Sequence, residues 1–461
     1  MTTPVLGILW DSADCAQGYF LTRYSWFLSL TNTCLPVAAP GRVRINYEII
    51  RESTSWNYKL GVNGYTSDAL LLKNWVTINY ATYGYGTAAE AFEDCFAHLK
   101  TGEPTATTTV GSHVITAYDA EDPTASRIPG PWTNPEVGAS DWLMNIHATI
   151  YQDFWKLSKL VNYSANYEGC YFDNSSTGIP FVSTDVGLTY AKTKEYTSDT
   201  DSTYTTLYAS ILDAFRTIMG AQGKIIGGNT AYLVDGTYPY IDNMDFILRE
   251  YYPWINTPTT SFESEIVVSR AALTSNPSFI QVYNHQTPAL DDRSKIGVLA
   301  IYYLIQNANT VMLVGTPGQA LAYWADVYDY DIGVATGNAY EFASGTDGWT
   351  GCDLQGVPWV VLGRQYGNNL VLWRGVPWTW WGTTCGNYHP DDTTMTVKTI
   401  PLGGTYRLLN ADGTLGSPIT TIDLENWEGA VLIGASGEGE GVVTFGAGGT
   451  LTFGSGGIIT I

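Results

Sequence analysis

A chain of 461 residues is too long for one ordinary domain and suits one large barrel with a smaller partner. Its 22 Lys and Arg stand against 44 Asp and Glu, a net charge of −22, so nucleic acid and anionic membranes would repel it. Apolar residues make up 45% of the chain, enough for a sizeable core, yet no apolar run reaches the length of a membrane span.

The first element is the strand-like "VLGILWDS", ending at Trp10 and Asp11. The opening "MTTPVLGILWDSADC" lacks a basic stretch followed by an apolar one, so no secretory signal is expected. "GYFLTRYSWFLSL" carries helical apolar spacing. "RVRINYEIIRESTSWNYKLGVNGY" reads as an inserted hairpin near residues 41–65. "WVTINYATYG" is a second strand ending at Asn79 and Tyr80, followed by the amphipathic helix "TAAEAFEDCFAHLK". "HVITAYDAEDP" is a third, ending at Tyr118 and Asp119. The helix "SDWLMNIHATIYQDFWKLSKLV" follows, with Ser140 as its cap.

The alternation then becomes regular. "EGCYFDNSS" is a strand stopped by Asp173 and Asn174, and "TYTTLYASILDAFRTIMGAQG" is a helix closed at Gly220 or Gly223. "KIIGGNT" ends at Asn229, and "MDFILREYYPW" carries Arg249, Glu250 and Tyr252. "SFESEIVVSRAALTS" is a helix with a capping box near Ser261. "FIQVYNHQTP" brings Tyr283, Asn284 and His285. The helix "LDDRSKIGVLAIYYLIQNA" and the strand "TVMLVGT" complete the series. Eight strands alternating with helices predict a parallel sheet with right-handed crossovers, and a (β/α)8 TIM barrel over residues 1–325. A doubly wound sheet is the alternative, weakened by the lack of a Gly-rich fingerprint after the first strand.

Helical periodicity stops near residue 326. "VPWVVLGRQYGNNLVLWRGV" is a hairpin, and "MTVKTI", "GTYRLLNADGTLG" and "AVLIG" are further strands, so residues 326–435 read as an antiparallel β-sandwich domain. Residues 436–461 are a Gly-rich β tail in which "TFGAGG" and "TFGSGG" form a two-copy repeat, read either as a flexible tail or as an assembly element.

In a β/α barrel the site forms at the C-terminal ends of the strands. The residues there are polar and acidic, with Trp and Tyr between them, which suits sugar rings because a pyranose offers an apolar face to aromatic groups. Asp173 and Glu250, on the fourth and sixth strands, would face one another across the barrel mouth. Glycosidic cleavage needs such a pair: one carboxylic acid protonates the leaving oxygen, and the other attacks the anomeric carbon or activates water. Asp173 is the better nucleophile or base, with Asn174 and Ser175 placed to hydrogen-bond its anion. Glu250, among Leu248, Tyr251 and Tyr252, is the better acid. Substrate-binding candidates are Trp10, Asp11, Tyr80, Tyr118, Asp119, Asn174, Asn229, Arg249, Tyr252, Tyr283 and His285. Asp119 is also a third candidate acid, against which a solvated loop or a calcium site competes. The competing reading of all these acids is plain turn chemistry.

Other chemistries fit less well. The histidines His98, His113, His147, His285 and His389 show no zinc-hydrolase spacing, and His98 and His147 read as structural. There is no nucleophile elbow and no phosphate loop. The six cysteines (Cys15, Cys34, Cys95, Cys170, Cys352 and Cys385) lack zinc-knuckle spacing. Cys15 with Cys34, and Cys352 with Cys385, could pair in an oxidising medium; six buried thiols is the other reading. No metal and no cofactor are expected.

"GCYFDNSS", "IIGGNT" and "DFILREYYPW" together resemble successive strands of glycoside-hydrolase-like TIM barrels, in the glycosyl hydrolase families related to alpha-galactosidase-type clans. "YDIGVATG" and "VPWVVLGRQYGNNLVLW" are similar to their closing segment, where a β-sandwich follows the barrel. The resemblance spans roughly residues 110–435 and implies Asp173 as nucleophile or base and Glu250 as acid/base. The repetitive Gly-rich end and low Lys content resemble phage or virus structural proteins instead. Two functions follow. One is a hydrolase cleaving O-glycosidic bonds of a polysaccharide or surface glycan, located outside the cell or on a virion surface. The other is a virion, fibre or surface-layer protein that uses the barrel for glycan binding and its C-terminal tail for self-assembly.

Overall fold

The computed structural model describes residues 6–8, 24–29, 43–48, 52–54, 68–101, 103, 108–110, 113–115, 119, 126–128, 141–160, 167–172, 175, 193–196, 202–229, 240–250, 280–286, 291–306, 310–315, 325–347, 357–375, 397–425 and 428–435. The Gly-rich tail, the Ser261 capping box, Ser140 and four of the six cysteines lie outside them. Cys95 and Cys170 are buried thiols.

The elements in chain order begin with strands β1 (Leu6–Ile8), β2 (Tyr24–Ser29), β3 (Val43–Glu48) and β4 (Glu52–Thr54). Helices α1 (Asp68–Asn79) and α2 (Ala88–Glu93) follow, then β5 (Thr108–Val110), β6 (His113–Ile115), β7 (Asp141–Leu143) and α3 (Thr149–Asp153). Next come β8 (Gly169–Phe172), α4 (Ser202–Gly220), β9 (Ile225–Asn229), β10 (Phe246–Glu250), β11 (Ile280–Gln286), α5 (Asp292–Ile305) and β12 (Thr310–Gly315). The last group is β13 (Tyr340–Asp347), β14 (Val357–Tyr366), β15 (Asn369–Gly375), β16 (Lys398–Leu409), β17 (Leu415–Leu424) and β18 (Gly429–Gly434).

Eight strands form one all-parallel sheet in the order β1-β2-β3-β8-β9-β10-β11-β12. β1 and β12, at its two ends, approach within 8 Å between Cα atoms. β8 is buried along its whole length, as strands covered on both faces must be. In α4 the buried residues Tyr204, Tyr208, Ile211, Leu212, Phe215 and Met219 recur at helical spacing. The helix ends where Gly223 turns left-handed, at φ 72°, and the Lys224 amide donates to the Met219 carbonyl at 2.9 Å. Arg216 of α4 donates to Asp245 at 3.2 Å, and the other Asp245 oxygen accepts the Ile226 amide, so this helix is tied to the start of β9 and β10.

The first part of the sheet differs from the sequence reading. "YSWFLS" is strand β2, although its apolar spacing reads as helix. Period alone does not separate a short apolar run such as this from a helix. "VRINYE", read as part of an inserted hairpin, is β3, paired in parallel with β2 and β8. Arg44 fixes that pairing: it holds Glu168, 124 positions away, through two side-chain hydrogen bonds of 2.7 Å.

"WVTIN", read as strand, is the second half of α1. Leu72 and Val76, four apart, are buried while Ile78 is 79% exposed, which is a helical pattern. "HVI" pairs with Thr108–Val110 as a two-stranded antiparallel hairpin and does not enter the parallel sheet. The long helix expected from Ser140 is split: Asp141–Leu143 pairs with β4, and helix begins only at Thr149, running into a π-helical stretch at Phe154–Lys159. The helix expected over residues 87–100 stops at Glu93. Thr87 caps it, accepting the Glu90 amide at 3.1 Å, and after a turn at Asp94–Cys95 the residues Phe96, His98 and Leu99 make isolated β-bridges. Several of these pieces share one apolar core with the parallel sheet and α4: Phe96, Leu143, Met144 and Trp155 pack in the same cluster as Phe172, Phe215 and Ile226. None of the described helices is long and apolar enough to cross a membrane.

The remaining six strands form one antiparallel sheet in the order β13-β14-β15-β18-β16-β17. Among the described residues this is one curled sheet, where two facing sheets were expected. On one face Val361, Leu370, Leu372 and Leu432 pack against Ile400, Leu402 and Leu424 of its own outer strands. The other face, with Val360, Leu362, Trp373 and Val431, is covered by α5. Arg364 of β14 reaches the C-terminal end of α5, where its Nη1 donates to the carbonyls of Tyr303 (2.9 Å), Leu304 (3.3 Å) and Gln306 (2.7 Å). A helix C-terminus carries unpaired carbonyls and partial negative charge, so it can hold a buried guanidinium.

Candidate active site at the C-terminal edge of the parallel sheet

The parallel register sets the levels at this edge. Glu48 of β3 pairs with Phe172, Phe172 pairs with Gly228, and Asn229 pairs with Leu248. Beyond these, Arg249 pairs with Tyr283, Glu250 with Asn284, and His285 with Val314. Five predicted residues, Asn229, Arg249, Glu250, Tyr283 and His285, are therefore gathered at one edge of three adjacent strands. Trp10, Asp11, Tyr118, Asp173, Asn174 and Tyr252 lie outside the described residues, as do the side chains of Arg249, Glu250, Tyr283 and His285.

The turn after β8 is pinned on both sides of Asp173 and Asn174. The Ser175 amide donates to the Asn229 carbonyl at 2.9 Å. The Ser175 hydroxyl donates back to the Phe172 carbonyl at 2.8 Å and lies 3.0 Å from the Tyr208 hydroxyl, which is left to act as donor. Tyr208 in turn stacks on Tyr240, with ring centroids 4.9 Å apart. Tyr240 holds a positive φ of 57°, a conformation that costs a non-Gly residue energy and persists where its surroundings fix it.

β9 has Gly227 and Gly228 because its neighbours leave no room for Cβ. A Cβ on Gly228 would lie 2.5 Å from Ser175 Oγ and 2.7 Å from the Phe172 carbonyl. A Cβ on Gly227 would meet the Phe246 ring and carbonyl at 2.4 Å.

Three expectations change in this light. Ser175 is fully buried with its proton committed to Phe172, so its hydroxyl fastens the turn rather than a carboxylate anion. Tyr80 begins the 3-10 turn Tyr80–Tyr83 after α1 and packs against the neighbouring apolar core, so it is not a strand end. Asp119 is exposed and follows a hairpin strand, not one of the eight parallel strands. Asn229 is 3% exposed and serves through its carbonyl. Glu48, level with Phe172, also ends a parallel strand and was not among the predicted strand ends, because "VRINYE" reads as part of a hairpin.

No family model matches the sequence, and no curated protein matches it. Among solved structures the chain is similar to Eubacterium rectale Amy13B at 9% identity, covering 94% of this chain and 96% of that one, with a TM-score of 0.41. It is similar to an alpha-amylase from Geobacillus thermoleovorans, solved with acarbose, at 11% identity, covering 93% and 97% with a TM-score of 0.35. It is also similar to a cycloisomaltooligosaccharide glucanotransferase from Paenibacillus sp. at 9% identity and a TM-score of 0.34, covering 94% of this chain but 55% of that one. The chain thus spans little more than half the length of the glucanotransferase. TM-scores and identities this low do not carry an activity across. Among the described residues no group of His, Cys, Asp and Glu is arranged to hold a metal ion.

Proposed function

We propose that the parallel sheet closes into a (β/α)8 barrel and that its C-terminal rim cleaves O-glycosidic bonds in a polysaccharide or surface glycan. The observation that carries the reading is the register: β8 and β10 lie either side of β9, with their C-terminal ends at one edge. Asp173 follows Phe172 directly, and Glu250 ends β10. Strands two apart are roughly 10 Å between backbones, within reach of a carboxylate pair at the separations glycosidases use. The approach of β1 to β12 favours closure.

In this reading Asp173 is the nucleophile or base and Glu250 the acid/base. Arg249, Tyr283 and His285, beside Glu250 in the strand register, are the sugar-binding candidates. The turn Phe172–Ser175, buttressed by Tyr208, would hold Asp173 in place, as a reacting group requires. The test is release of sugar from a panel of α- and β-linked polysaccharides. Asp173→Asn and Glu250→Gln should each lower it on the order of 10²–10⁴-fold with the fold retained. Wild-type cleavage by either variant refutes the pair.

A further inference from the structure

In the connection from β8 to α4, Thr193–Tyr196 lies against the insertion that follows β3. Thr193 bridges Leu99, the Lys194 amide donates to the His98 carbonyl at 2.8 Å, and the Tyr196 hydroxyl donates to Met144 at 2.6 Å. At the centre of the contact His98 is 2% exposed and held by a carboxylate on each ring nitrogen. Nε2 is 2.9 Å from Glu93 Oε1, and Nδ1 is 3.3 Å from Glu195 Oε1. The His98 amide also donates to Glu195 at 2.6 Å. Arg127, whose guanidinium lies 3.9 Å from the Phe96 ring centre, donates to both Glu93 oxygens. Lys194, half exposed, is 4.0 Å from Glu195.

A neutral imidazole has one N–H, whereas two carboxylates ask for two. Only imidazolium satisfies both. It also balances the charge: Glu93 and Glu195 against Arg127 and His98, with Lys194 at the margin. Deprotonation leaves a carboxylate facing a ring lone pair where water is excluded, an expensive arrangement.

We propose that His98 is a protonation-controlled latch, holding Thr193–Tyr196 of the connection after β8 against the insertion after β3 while the ring is an imidazolium, and releasing it when the proton leaves. Burial works against the charge, but hydrogen bonds to Glu195 and then Glu93 outweigh it and raise the His98 pKa above the ordinary imidazole value. Burial likewise pushes Glu93 up, yet the bonds from Arg127 and His98 hold it at about 2. A raised imidazole contributes stability that is complete below its unfolded value and is lost as pH rises through its folded value. The lowered Glu93 loses its contribution only in acid, below the ordinary carboxylate range. The latch is therefore shut in mildly acidic solution and weakens on the alkaline side of the ordinary imidazole value.

Hydrogen exchange of the His98 and Lys194 amides, corrected for intrinsic rates, reads the latch between about pH 5.5 and 8.5, a span bracketing an unperturbed imidazole. Wild-type protection should fall with rising pH, about tenfold for each unit by which the folded imidazole exceeds the unfolded one. His98→Gln should abolish the slope. Should that variant not fold, Glu195→Gln, which keeps the imidazole, should reduce it. A flat wild-type profile, an unchanged slope in His98→Gln, or an unchanged slope in Glu195→Gln each overturns the proposal. The readout needs no glycan, so it stands apart from the cleavage reading.

Discussion

Replacing Gly228 by Ala should distort the turn that carries Asp173. The added methyl would sit 2.5 Å from Ser175 Oγ, 2.7 Å from Met244 Cε and 2.7 Å from the Phe172 carbonyl. Methionine can swing aside, but the Phe172 carbonyl is ladder backbone and Ser175 is fully buried. Relief therefore means moving Ser175 off Phe172, Tyr208 and Asn229. Overpacking at such a site costs typically 1–3 kcal/mol, and losing part of a buried hydrogen-bond set adds about 1 kcal/mol, so about 2–4 kcal/mol is expected. Urea unfolding with an unchanged m value measures it. Gly220→Ala is the control: nothing lies within 4 Å of its Cβ position, and Ala in a helix is favoured by up to about 1 kcal/mol. Under the proposed function, a shift of about 1 Å at the turn should also cut cleavage roughly 10²-fold. A Gly228→Ala protein within about 0.5 kcal/mol of wild type, the range of an inert surface change, would refute the steric argument.

Ser175→Ala removes a donor from the Phe172 carbonyl and the neighbour of Tyr208, and should cost about 1–3 kcal/mol in thermal or urea unfolding. Combined with Tyr208→Phe it should be non-additive, since both act on one network. Arg364→Lys keeps the charge but loses the fork that spans Gly337 and the end of α5, and should cost about 2–3 kcal/mol. Full stability in that variant would mean the cap is incidental.

The second half of the parallel sheet was legible in the sequence because its strands are short, apolar and punctuated. "GCYF", "IIGGN" and "TVMLVG" are bounded by polar clusters, α4 shows helical burial spacing, and α5 is apolar and buried continuously from Ile296 to Ile305. The first half was not, because β2 and β3 lack such punctuation and α1 carries the β-branched run Val76-Thr77-Ile78. The strand-end rule still gathered Glu250, Arg249, Tyr283, His285 and Asn229, since it depends only on where a strand stops. The support was invisible. Ser175 with Tyr208, Arg44 with Glu168, and His98 with Glu195 are pairings over 33, 124 and 97 positions, and no local period encodes them.

The Gly-Gly of β9 shows why the central strand of the site is the one with the least side chain. Tyr171, Gly227 and Phe246 lie in register on three adjacent strands, and the Tyr171 and Phe246 rings stack across the glycine, 6.4 Å apart and 14° from parallel. One residue on, Phe172 and Gly228 are in register, and Ser175 closes over the second glycine on the opposite face. Glycine weakens a strand by itself, but here each one opens a slot that a neighbour fills. The aromatic pair joins β8 to β10 directly on one face, while the serine turn joins β8 to β9 on the other. A side chain in the first slot would displace Phe246, and one in the second would displace Ser175. The filled slots lock the C-terminal ends of β8, β9 and β10 to one another, which is what a two-carboxylate site would require of its scaffold.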